Sequence, residues 1–170
     1  MIAQEHRKKI TYANMSSLSI AINNDNYFND YSKNEENPSN GLSFGINTIH
    51  GVKFFEIVSV SAGIAIDWNI NKTFVSTPYI VDFRLFSSRH NETGLFVYIQ
   101  TGNNIKWSDS FAGNGVSAKL GIGFILANND KTLYYLDVFK KSLQIETSEF
   151  DKNGYYNANG FGFSLGIIFK

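Results

Sequence analysis

The stretch Val58–Asn69, VSVSAGIAIDWN, changes character at every residue from end to end. Val58, Val60, Ala62, Ile64, Ile66 and Trp68 fall on one parity; Ser59, Ser61, Gly63, Ala65, Asp67 and Asn69 fall on the other. Successive side chains of a β-strand point to opposite faces, so the pattern predicts a strand with one apolar side and one small, polar side. A soluble sheet protein turns the apolar side towards its own core, and a membrane barrel turns it towards lipid. The rest of the chain decides between them.

Strand-like segments recur on both sides of this stretch, at 11–23, 40–53, 57–69, 77–88, 93–103, 115–127, 131–146 and 157–169. That is an even number, and most are close to the ten or so residues with which a tilted strand crosses a bilayer. The connections alternate in length. NDNYFNDYSKNEENPSN from Asn24, INKTFVST after Asn69, NIKWSDSFAGN from Asn104 and SEFDKNGYYN are the longer ones. Phe54–Ile57, SSRHNET and NNDK at Asn128–Lys131 are the shorter ones. An up-and-down meander with loops at one end and turns at the other has this rhythm. Pro78 falls at a strand start, where a missing N–H is tolerated, and Pro38 falls in a loop.

Composition agrees with an all-β chain. The 170 residues suffice for one domain, and 15% aromatics with 14 Gly and 2 Pro favour strands and turns. Fifteen basic residues balance fifteen acidic ones, which offers no electrostatic attraction for nucleic acid. The absence of Cys excludes a disulfide and any thiolate metal site. No run of about 18 apolar residues could span a membrane as a helix. Residues 1–9, opening MIAQEH before a charged HRKK segment, read as a disordered tail or a signal-peptide remnant, and 10–170 as the barrel domain.

Sorting every strand by parity places Leu18, Ile20, Ile22, Leu42, Phe44, Ile46, Val81, Phe83, Leu85, Leu95, Val97 and Ile99 with the apolar side of the opening stretch. Val116, Leu120, Ile122, Phe124, Tyr134, Leu136, Val138, Phe161, Phe163, Leu165, Ile167 and Phe169 continue it. The other side carries Ser17, Ser19, Ser43, Gly45, Gly102, Gly121, Gly123, Gly160, Gly162 and Gly166, with the charges Asp67, Asp82, Arg84, Lys119 and Asp137. The lumen of an eight-stranded barrel is only just wide enough for side chains. The large apolar set would overfill it, while Gly, Ser and a few polar groups fit. On a lipid face, Arg84 and Lys119 would each cost roughly 2–4 kcal/mol near the midplane. The apolar side is therefore expected to face lipid. Backbone groups in a bilayer must all be paired, so the expected fold is a closed, eight-stranded, antiparallel up-and-down transmembrane β-barrel. Trp68, Tyr79, Tyr155 and Tyr156 at loop ends, with Tyr12, Phe54, Tyr134 and Phe169 at turn ends, are the expected aromatic girdles. Phe96 and Tyr98 fall on the inner parity, where they would fill space opposite glycines.

In the order NGLSFGINTIHGVKF, VSVSAGIAIDWN, TPYIVDFRLF, GLFVYIQTG, GVSAKLGIGF and GFGFSLGIIFK, the chain resembles the small outer-membrane β-barrel proteins of Bacteroidota-type bacteria. The resemblance covers the chain after about Lys9. The closing strand is similar to the C-terminal insertion signal of such barrels, although Lys170 follows the terminal aromatic Phe169. The resemblance implies a bacterial outer-membrane location with both termini periplasmic, membrane lipid as a partner, and engagement of the barrel-assembly machinery through the last strand. It implies no agreed activity.

The inward charges Asp67, Asp82, Arg84, Lys119 and Asp137 are expected to form an ion-pair network, since buried ions must be paired; a small-ligand or ion path is the functional alternative. A barrel enzyme acting on lipid would need a histidine beside a serine and a carboxylate. The three histidines, His6, His50 and His90, are expected in the tail and at turn ends, without the spacing of a metal site. No catalytic residue, cofactor or metal is expected. The function expected is a non-enzymatic, closed outer-membrane barrel with a structural or surface-interaction role through its long extracellular loops. The alternatives are a soluble calycin-like barrel holding an apolar ligand, and a lipid-modifying barrel enzyme.

Overall fold

Nine strands account for nearly all of the described residues: β1 (Ile10–Asp30), β2 (Ser39–Phe54), β3 (Val58–Asn69), β4 (Phe74–Ser76), β5 (Pro78–Phe86), β6 (Leu95–Asn104), β7 (Gly115–Asn128), β8 (Thr132–Thr147) and β9 (Gly154–Phe169). The structure, a computed structural model, describes residues 10–30, 39–71, 74–87, 94–107, 114–129, 131–147 and 154–169. The expected tail 1–9, Pro38, His6, His90, Lys170 and the middles of the long loops lie outside the described residues.

Each strand pairs antiparallel with the next in sequence, except that β4 and β5 both pair with β3, and β1 pairs with β9 to close the ring. β4 and β5 are one stave. Asp67 faces Ser76 and Ile64 faces Tyr79, so both pieces hold the same register against β3. The ladder breaks between them at Thr77–Pro78 because proline has no N–H to donate. The result is a closed, eight-stave, antiparallel up-and-down β-barrel. The FVS segment, expected within a connection, belongs to the wall.

Two strands run further than the alternation of large apolar residues suggests. β1 was expected to end at 23 but continues to Asp30, and β9 begins at Gly154 instead of 157. The polar run NDNYFND looks like loop, yet its backbone finds partners on β9, with Tyr27 opposite Asn157 and Asn29 opposite Tyr155. The register shifts at Asn24, where Asn23 faces Gly160 but Asp25 faces Asn159. This extra residue is a β-bulge, and it switches the inward parity of β1. Met15, Ala21 and Asn23 are buried before it and Asn26 after it.

Inside the barrel, glycines make room for rings on the adjacent stave. Phe96 lies opposite Gly123, Tyr98 opposite Gly121, Phe139 opposite Gly162 and Tyr135 opposite Gly166. A Cβ on Gly123 would run into the Phe96 ring, and one on Gly162 would approach Phe139 Cζ to 2.6 Å. Each ring covers the backbone its glycine leaves bare. Gly123→Val is therefore expected to destabilise the barrel by about 1–3 kcal/mol through overpacking. Urea unfolding in lipid vesicles measures this, and Phe96→Ala in the same chain should recover part of the loss.

The β2–β3 turn is strained. Ile57 N–H donates to the Phe54 carbonyl at 3.0 Å, and the two residues between, Phe55 and Glu56, have φ of 50° and 60°. Positive φ at both central positions is the requirement of a type I′ turn, normally met by Asn-Gly. Glu56→Gly should raise stability by roughly 0.5–1 kcal/mol, the relieved strain exceeding glycine's added chain entropy. A higher urea midpoint with an unchanged slope would establish it.

Candidate functional site: a charged lumen between two apolar clusters

The alternation of Val58–Asn69 resolves in one direction. Ser59, Ser61, Ala65, Asp67 and Asn69 are buried, whereas Ile64 is 54% exposed and Trp68 49%. The same holds round the ring: Leu18, Ile22, Leu120, Phe161 and Leu165 all stand on the outer surface. The lumen takes the polar side chains.

Asp67, Asp82, Arg84, Lys119 and Asp137 all lie buried in that lumen. They do not form one cluster of direct pairs. Arg84 Nε donates to Asp82 Oδ1 at 2.8 Å, a pair made between alternate residues of β5. The guanidinium also stacks on rings, 4.5 Å from the Tyr98 centroid and 5.2 Å from that of Phe96. Asp137 is held by neutral donors: Tyr98 OH at 3.0 Å and Ser164 Oγ at 2.6 Å. Asp67 pairs with Lys141, whose Nζ is 2.7 Å from Oδ1. Lys119 Nζ sits 4.7 Å from the centroid of Phe139.

Two of the lumen's charges, Lys141 and Lys53, escaped the sequence reading. Both are buried, and Lys53 Nζ lies 3.9 Å from the Phe86 centroid. Lys141 shares the parity of Asp137 on β8, so extending that alternation by four residues would have found it. Lys53 stands next to the strand's last residue, where a charge reads as turn chemistry. With them the described lumen holds Lys53, Arg84, Lys119 and Lys141 against Asp67, Asp82 and Asp137. The positive excess is met by aromatic faces, which attract cations through their quadrupole.

Buried apolar side chains pack on both sides of this tier. Towards the turn end, Met15, Ile49, Phe86, Phe96, Ile125 and Leu133 belong to one buried apolar cluster. At the loop end, Leu143, Ile145, Tyr156 and Ala158 form a second cluster, joined by Phe28 from beyond the β1 bulge and by Phe74 of β4. Tyr156 and Phe74 meet edge to face with centroids 5.0 Å apart. Trp107 Nε1 donates to Thr77 Oγ1, tying the residues after β6 to the β4–β5 junction.

The expected girdle residues divide. Tyr12, Trp68, Tyr79, Tyr134 and Phe169 stand exposed on the outer wall, while Phe54 and Tyr155 are half-buried. Tyr156 is a correction: it is buried in the loop-end cluster. Adjacent residues of a strand cannot share a face, and because β9 starts at Gly154, Tyr156 takes the inward parity of Gly160 and Ser164.

His50 lies on the outer wall near the turn end, 2.5 Å by Nδ1 from the Tyr12 hydroxyl. Ser16 and Thr48 hydrogen-bond to each other beside it at 3.2 Å. No carboxylate joins them among the described contacts, so a Ser–His–acid relay is not assembled there. Among the described residues, no three His, Cys, Asp or Glu are grouped to hold a metal ion. No family model, curated protein or solved structure matches the chain.

Proposed function

We propose that this chain is a bacterial outer-membrane barrel that spans the bilayer with both termini on the periplasmic side. Its role is non-enzymatic, structural or surface-interacting through the loop end, and it passes no solute. The observation that carries this reading is the inversion of the closed barrel, with charges inside and large apolar side chains outside. In water such a wall would expose an apolar surface far beyond the few hundred Å² a soluble monomer tolerates. In hydrocarbon it is the stable arrangement, because the ring leaves no unpaired strand edge. The apolar clusters that hold Met15, Ile49 and Phe96 towards one end and Leu143, Ile145 and Tyr156 towards the other support a lumen without conductance. Insertion would proceed through the barrel-assembly machinery, engaged by β9 with its outward Phe161, Phe163, Leu165 and Phe169. A calycin-like carrier is disfavoured by the same observation, since its apolar face would line the cavity.

The test combines fractionation, gel mobility and conductance on the full chain. The protein is expected in the outer-membrane fraction, with a shift in mobility on heating in detergent gels and no conductance steps in a planar bilayer. Recovery in the soluble fraction without detergent, with no heat shift, overturns the membrane reading. Discrete conductance steps overturn the closed lumen.

A further inference from the structure

The outer wall changes from apolar to polar along β8, and the change is sharp at Lys140. An apolar depression of about 680 Å³ is lined by Leu120, Ile122, Val138, Phe161 and Phe163, with Lys140 as the charged residue of its lining. A polar depression of about 370 Å³, lined by Asn24, Asp25, Ser142 and Asn159, shares Lys140 and Phe161 with it. Lys140 stands between Leu120 on β7 and Phe161 on β9. One step nearer the loop end, Ser142 faces Asn159, and Asn159 faces Asp25 on β1. Beyond that step, Gln144 and Glu146 continue the exposed face of β8 as a polar one.

The polar groups of this tier are held ready for a ligand. Lys140 is exposed, and the contact its ammonium makes is the Phe161 ring, 5.9 Å away at the centroid. Its neighbour Lys141 points into the lumen to Asp67, so only Lys140 serves the outer wall. Ser142 Oγ donates to Asn159 Oδ1 at 2.7 Å, and Asn159 Nδ2 donates to Asp25 Oδ2 at 3.1 Å. That chain of hydrogen bonds orients the carboxylate and leaves Oδ1 to accept from outside. Cation and carboxylate are two staves apart, on β8 and β1, so they address different parts of one ligand.

We propose that this wall binds lipid A, the membrane anchor of lipopolysaccharide. The inference rests on the membrane reading above, in which the loop end is extracellular and faces the glycolipid leaflet. Lipid A is a phosphorylated glucosamine disaccharide whose acyl chains hang from amide and ester links. An acyl chain lies in the apolar depression, a phosphate sits at Lys140, and Ser142, Asn159 and Asp25 take the hydroxyls and amides of the sugar. Hydrocarbon, phosphate and sugar thus meet the wall in the order in which the lipid carries them. Asp25 accepts from hydroxyl groups and repels a phosphate, which keeps the phosphate at Lys140. Lys140 reaches that level as long cationic side chains do, with its methylenes along apolar neighbours and its ammonium turned to the polar side.

The folded full chain in detergent micelles is titrated with lipid A, with lipid A stripped of its phosphates, and with phosphatidic acid. Bound lipids are counted by native mass spectrometry. Lipid A is expected to bind at several-fold lower concentration than either of the others, since one lacks the phosphate and the other lacks the sugar. Lys140→Gln should bring lipid A and its stripped form to equality, whereas Lys140→Arg should keep the preference. Asp25→Ala should weaken both forms of lipid A several-fold without weakening phosphatidic acid. Lys131→Gln, an exposed lysine at the turn end, should change none of these values. All variants should keep the heat-shifted mobility of the parent. Equal binding of the three lipids by the parent overturns the proposal. So does a phosphate preference that survives Lys140→Gln, or one that Lys131→Gln abolishes equally; in each case a heat shift leaves the membrane reading standing. A parent chain with no heat shift and no membrane association overturns both.

Discussion

Asp67→Ala is expected to lower the stability of the folded barrel by about 3–5 kcal/mol, because it strands a buried cation. Lys141 Nζ, 2.7 Å from Asp67 Oδ1, would keep its charge in the lumen without its partner. Lys119 stands directly opposite Lys141 in the β7–β8 ladder, so two ammonium groups would repel side by side on one wall. Substituting Lys141→Met in the same chain should return most of the loss, since removing both members of a buried pair is often close to neutral. Urea unfolding in lipid vesicles reads all three chains. If the single variant loses less than about 1 kcal/mol, the pair behaves like a solvated surface bridge and the lumen is wet at that level.

The second large effect is on the outer face. Ile64→Arg is expected to cost roughly 2–4 kcal/mol in a bilayer, the penalty for a charge near the midplane of a barrel wall. Ile64 is placed for this, being exposed and in the middle of β3. Ile10→Arg, at the first residue of β1, should cost only about 0–1 kcal/mol because it lies at the border of the wall. The depth dependence is the diagnostic quantity. In water, exposed sites of this kind tolerate substitution within about 0.5 kcal/mol wherever they lie. Equal, small effects at the two positions would sink the lipid assignment for the wall.

Strand chemistry read along the chain recovered which residues share a face, and it did so for a simple reason. The period of a strand is two, and the same division into large apolar and small polar side chains recurs on every stave, as in Val58–Asn69. The Arg84–Asp82 contact was also within reach, since residues two apart on one strand point the same way. The aromatic–glycine pairing of Phe96 and Tyr98 followed from volume alone.

What failed were inferences in which polar composition stood in for loop. NDNYFND is strand because β9 offers it partners, and Tyr156 is inward because that strand begins before it. Backbone pairing depends on what lies alongside, which local polarity does not report. Lys141 was missed for a related reason: in the dyad Lys140–Lys141 each residue looks like surface charge until the β8 register sends one to Asp67 and the other to the outer wall.

The amino-acid sequence by itself determined the number of staves, the antiparallel meander and which side chains share a face, because these follow from alternation and turn spacing. Tertiary structure alone decided the partners. Asp67 on β3 meets Lys141 on β8, and Asp137 on β8 draws Tyr98 from β6 and Ser164 from β9. β3 and β8 are not adjacent staves, so their charges meet only across the lumen once the ring has closed. The stagger at closure and the one-residue bulge at Asn24 set which layers come together, and neither is encoded in the periodicity of any single strand.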